Sequence, residues 1–122
     1  MKGLSTSTPI VVFAHIPLWT ISKDWGWGTD DSEQALSLLK RFGSVTVLNG
    51  HIHQLMQKVE GQVTFYTARS TAFPQPVPGT APAPTPLVVP ADKLRSFLGI
   101  RSVVFTQGKE VLAVTDQALA AS

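Results

Sequence analysis

The chain has 122 residues, 43% of them apolar and 15% charged, with a net charge of +2 and no cysteine. That length suits one domain, and the composition excludes the charge-rich, apolar-poor mix of a disordered chain. The small charge, with no run of three Lys or Arg, excludes a basic face that tracks nucleic-acid phosphates. The absence of cysteine excludes disulfides, thiolate metal sites and a Cys nucleophile.

The N-terminus has no apolar core and no small-residue cleavage pattern, so it does not read as an export signal. The longest strongly apolar run, Ile10 to Ala14, falls far short of the roughly 20 residues a spanning helix needs. The expectation is a soluble chain with no membrane partner. Its location is left open, an exported bacterial parent included.

Pro9 precedes Ile10-Val11-Val12-Phe13-Ala14, a mostly β-branched run that reads as a strand buried on both faces. Residues 18–30 follow as a loop carrying Trp19, Trp25 and Trp27. Asp30, with Glu33 three residues on, predicts a capped helix over 31–42 that Gly43 stops. Val45 to Leu48 is a second buried strand. Strand, helix, strand at this spacing predicts a βαβ unit. Residues 54–59 and 62–68 predict a hairpin turning at Glu60-Gly61.

Residues 74–90 hold seven of the nine prolines and read as an extended segment, neither helix nor central strand. A docking motif for an SH3-like partner would want flanking basic residues, which are absent, so an ordinary surface loop is the preferred reading. Asp92 to Leu98 predicts a short helix capped by Gly99. Ser102 to Thr106 and Glu110 to Thr115 predict two strands around Gln107-Gly108, and the last residues from Ala118 are read as frayed.

The three histidines of the chain carry the chemistry. His15 ends the first strand, and Gly50-His51-Ile52-His53 follows the second. Ligands gather at the carboxyl ends of parallel strands, so both clusters point to one edge. In an extended segment residues two apart share a side, which lets His51 and His53 aim at one volume. Gly50 is read as the residue that allows the tight turn before them. Neutral imidazole is a common ligand for zinc, iron, manganese and copper.

Pro9 to His15 with Pro17, and Leu48-Asn49-Gly50-His51-Ile52-His53, together resemble the strand-histidine and Gly-His-x-His blocks of the calcineurin-like metallophosphoesterases. The resemblance covers roughly residues 9–70. It implies an α+β fold, the C-terminal portion of an α/β/β/α sandwich. That portion would have mixed sheets, a βαβ unit, a hairpin and two short helices. Residues 1–122 are then the C-terminal part of one such domain: a metal-ligand region at 9–70, a Pro-rich loop at 74–90, and a helix with strands at 91–116.

The resemblance further implies a phosphoester hydrolase with two metal ions, commonly iron, manganese or zinc. In that chemistry a metal-bridging hydroxide attacks phosphorus. Carried onto this sequence, His15 and His51 resemble ligands of one metal and His53 a ligand of the other. Trp25 and Trp27 are candidates to wall the substrate pocket or stack on a base. Loop packing is the competing explanation for them.

The family's upstream Asp-x-His, Gly-Asp and Gly-Asn-His blocks have no counterpart here. With them go the bridging carboxylate and the histidine that protonates the leaving group, so no catalytic residue is assigned to this chain. Without a bridging carboxylate, two dications on three neutral imidazoles repel one another unopposed. The expectation is at most one weakly held metal and no phosphatase or phosphodiesterase turnover by the chain alone. An unfilled sheet also predicts self-association, by strand exchange, or pairing with the missing N-terminal part. The alternative function is a non-catalytic metal-binding or protein-interaction module.

Overall fold

The computed structural model describes residues 1–109 and 111–120. Its six strands and two helices follow the order β1 (Ile10–Ala14), α1 (Ser32–Leu39), β2 (Val45–Asn49), β3 (Met56–Glu60), β4 (Val63–Thr67), α2 (Leu94–Phe97), β5 (Gly99–Val104) and β6 (Ala113–Ala118). The class is α+β with two sheets. The first is four-stranded and mixed, in the order β1-β2-β4-β3, and the second pairs β5 with β6. No helix among the described residues is long and apolar enough to cross a membrane.

β1 and β2 run parallel with α1 between them in sequence, in a register that sets Ala14 beside Asn49. β2 also pairs in parallel with β4, and β3 returns antiparallel to β4. Alternation along the strands sorts side chains between two faces. On one face Val45, Val47, Val63 and Phe65 meet Leu36 and Leu39 of α1 and Phe42 just beyond it, with Ile10, Val12 and Trp19 packed alongside. On the other, the Arg101 guanidinium lies 5.2 Å from the centre of the Tyr66 ring. Leu112 borders one cavity with Thr46 and Thr64, so the β5–β6 hairpin covers this side.

Burial on both faces holds for β2, whose five residues are all buried, and fails for β1. Phe13 is 79% exposed and Val11 39%. β1 is an edge strand and the hairpin does not reach its outer face. A continuous apolar run does not by itself distinguish an edge from a centre.

Helix α1 is shorter than predicted, and its cap is Asp31 rather than Asp30. Asp31 makes no side-chain capping bond, so the capping box read from Asp30 and Glu33 does not form. The C-terminal end tightens through Phe42 N–H to Leu39 O at 3.0 Å, and Gly43 N–H goes to Thr6 O at 2.9 Å. The predicted Gly43 stop is therefore a bond to the N-terminal arm, which Arg41 also holds through the Met1 and Leu4 carbonyls.

Gly99 does not cap α2. It opens β5, where a Cβ would lie 2.8 Å from the Gln117 carbonyl. The β5–β6 register is wider than predicted, pairing Val104 with Ala113. Arg101 fixes it by clamping Asp116 through two bonds of 2.8 and 2.7 Å. Glu110, the predicted start of the last strand, lies outside the described residues. Residues 118 and 119 are docked rather than frayed: Ala118 ends β6, Leu119 N–H donates to Leu98 O at 2.9 Å and Arg95 Nε to Leu119 O at 3.1 Å. Residues 121 and 122 are also outside the described residues.

Candidate metal centre

The parallel β1–β2 pair delivers His15 and Gly50 to the same edge, where Gly50 N–H donates to the His15 carbonyl at 3.1 Å. The rings of His15 and His51 meet edge-on with centroids 5.3 Å apart. Asn49, the last residue of β2, donates from Nδ2 to the Ala14 carbonyl at 2.7 Å and to the Ile16 carbonyl at 3.4 Å. Those two carbonyls flank His15, so the buried amide holds the turn that carries the imidazole.

Gly50 has a role different from the one its sequence position suggests. A Cβ there would stand 3.1 Å from His15 Nδ1 and 3.3 Å from Cε1. Glycine makes room for the neighbouring ring. The left-handed backbone falls instead on His51, at φ +67°, and His53, at φ +60°. Ile52 N–H bonds back to Gly50 O at 2.7 Å, an i to i+2 bond that closes a γ-turn around His51. The segment is thus a turn, not an extended strand, and the period-two argument for His51 and His53 does not apply.

Positive φ on a non-glycine residue needs compensation from its surroundings. Here Ile52 is fully buried and pins the middle of the turn. Gln75 Nε2 donates to the His51 carbonyl at 3.3 Å, Thr67 Oγ1 to the Gln54 carbonyl at 2.6 Å, and Gln54 Nε2 to the Gln75 carbonyl.

His53 turns toward Phe73. The rings are 4.6 Å apart and Nδ1 lies 2.8 Å from the Phe73 carbonyl. With Nδ1–H donating to that carbonyl, the lone pair rests on Nε2, an arrangement common for metal-ligating histidine. The start of the Pro-rich segment thus supports both histidines of the turn. The segment is closed at its base by Leu87 N–H to Pro74 O at 2.9 Å. Proline content alone carried no sign of this support, since it comes from the Phe73 carbonyl and the Gln75 amide.

The tryptophans enter through a small hairpin. Ser22 and Trp27 form an antiparallel bridge, with Gly26 at φ +65° in the turn. Trp25 stands edge-on to Trp27 at 4.7 Å, and Trp27 to His51 at 5.7 Å. Trp25, Trp27, His51 and His15 thereby make a continuous chain of edge-on rings. Trp27 is only 4% exposed and serves as the wall behind His51; Trp25 is half-buried.

Burial, and then the nearby His15 and His53, hold the His51 pKa below its usual value. The ring is therefore neutral at physiological pH, the form that ligates metals. A cavity of about 380 Å³ opens beside His15 between Phe13, Leu48 and Asn49 on one side and Arg101 and Val103 on the other.

The donor set fits a metal ion in part. Imidazole nitrogens suit a borderline-soft cation, and His53 has its Nδ1 anchored on a carbonyl. Among the described residues, however, no group of three or more His, Asp or Glu side chains is arranged to hold a metal. Asp30 and Glu33 border a separate hollow with Thr20, Lys23 and Thr29. His15 and His51 are brought ring to ring, His53 packs on Phe73, and a two-metal centre is not completed by these residues. No family model matches the chain, and no curated protein matches it.

Proposed function

We propose that this chain is the C-terminal, metal-holding segment of a metal-dependent phosphoester hydrolase. One observation carries the reading: His15 and His51 stand ring to ring at the carboxyl ends of adjacent parallel strands, 5.3 Å between centroids. His53, its Nδ1 held on a carbonyl, follows on the same turn. A bound metal would supply Lewis-acid and hydroxide chemistry to a phosphoester. The chain's own part is to present the imidazole nitrogens at one edge, with Asn49, Gly50 and Trp27 orienting the first two rings. A bridging carboxylate and the proton donor for the leaving group would come from an upstream part of the polypeptide. The two sheets would then belong to an α/β/β/α sandwich.

The lack of a carboxylate in the histidine cluster among the described residues favours a second reading for the isolated chain, a non-catalytic module that binds one metal. Turnover of p-nitrophenyl phosphate and bis-p-nitrophenyl phosphate with added manganese separates the two. The assay uses the chain alone and the chain joined to the upstream region encoded by its gene. Activity only in the joined form supports the hydrolase. Inactivity of both, with one metal bound, favours the module.

A further inference from the structure

The two edges of the four-stranded sheet differ in kind. β3, at one edge, carries Gln57, Lys58 and Glu60, the polar guard that keeps exposed strands apart. β1, at the other, reads Ile-Val-Val-Phe-Ala, with no charge, no proline and its outer-face Phe13 uncovered.

The backbone of β1 sorts its groups by residue. Ile10 N–H donates to Ser44 O at 3.0 Å, on the β2 side. In a strand the N–H and C=O groups of alternate residues point the same way. Ile10, Val12 and Ala14 therefore face β2, while Val11 and Phe13 present two donors and two acceptors to the open edge. Their side chains share the hairpin face of the sheet, at the margin where Phe13 stays 79% and Val11 39% exposed.

This pattern is self-complementary. If a second copy runs antiparallel with its Val12 opposite Val12 across a two-fold axis, Val11 falls opposite Phe13 of the second copy. Residues directly opposite in an antiparallel ladder exchange both of their bonds, so all four outward groups of each strand are paired. The same operation sets the apolar side chains of Val11 and Phe13 against those of the second copy at this exposed margin. The strand carries no charge to oppose this. A two-fold contact of this kind uses each β1 edge once and closes as a dimer, not a fibre.

We propose that the chain dimerises by antiparallel pairing of β1 with β1 of a second copy, extending the sheet to eight strands without strand exchange. The inference uses β1 alone and does not depend on metal binding. Sedimentation velocity over a wide concentration range, with amide hydrogen exchange at both ends of it, tests the pairing. The expected result is a monomer–dimer equilibrium in which the Val11 and Phe13 amides exchange more slowly in the dimer and the Val59 amide of β3 is unchanged. Val11→Pro removes an outward donor but leaves the β2 ladder intact, and should weaken the dimer more than about tenfold. A monomer at every concentration overturns the proposal. So does a dimer whose Val11 and Phe13 amides are unaffected. The exchange measurement on the unmodified chain stands even if the proline variant fails to fold.

Discussion

The Trp27 indole stands edge-on to His51 with ring centres 5.7 Å apart. It links the Ser22–Trp27 hairpin to the histidine turn through packing alone. Replacing this buried tryptophan by alanine should cost about 3–5 kcal/mol, read as a lowered urea midpoint with unchanged slope. Trp25→Ala, at a half-buried position, should cost clearly less. Equal losses at the two sites would contradict the idea that Trp27 alone walls His51.

Gly50→Ala places a methyl group 3.1 Å from His15 Nδ1. The backbone conformation at residue 50 accepts alanine, so the strain falls on the neighbouring imidazole. Calorimetric titration with zinc should show affinity lowered by about 10–100-fold, the usual range for residues that orient a ligand. Fold stability should change little. An unchanged zinc affinity would show that His15 is not held by this contact.

Asn49→Ala removes the donor to the Ala14 and Ile16 carbonyls at a buried position. The expected loss is about 1–3 kcal/mol. The His15–His51 ring contact should loosen with it, visible as altered imidazole carbon shifts in NMR spectra. Retention of both stability and shifts would remove Asn49 from the site.

The pH dependence follows from His51. Its pKa is lowered in the folded chain, first by burial and then by His15 and His53. The unfolded chain, near the ordinary value of about 6.5, therefore binds more protons at this residue. The stabilising contribution of the neutral ring is complete above that value and is lost as pH falls through the folded pKa. Urea midpoints of the metal-free chain should fall on acidification below about pH 6.5, and His51→Gln should flatten this part of the profile. A midpoint that rises there would reverse the assignment.

Arg101 is 9% exposed at its side chain and clamps Asp116, while its Nη1 is buried without a partner among the described residues. Asp116→Ala leaves that guanidinium uncompensated. The double replacement Arg101→Met, Asp116→Leu removes both charges, and should be less destabilising than the single change in thermal melts. The reverse order would mean that the pair contributes mainly by packing.

How much of this was legible beforehand varies by element. The βαβ unit and the β3–β4 hairpin were, because Val45 to Leu48 and the runs around Glu60-Gly61 carry local signals. The ends of α1 and the β5–β6 register were not. Gly43 takes its partner at Thr6, and the Arg101–Asp116 clamp joins two different strands. No local pattern contains either.

The histidines divide in the same way. Their placement at the carboxyl ends of two parallel strands is a property of the sequence alone, because alternating strand and helix patterns dictate where each strand stops. Their orientation is not. Left-handed φ at His51 and His53 persists because Ile52 is buried beneath them and residues 73 and 75 bond across from a distant segment. Whether β1 lies inside the sheet or at its rim is likewise set by which strands find it. An apolar run encodes a preference for burial, but the partner that provides it is chosen by long-range packing.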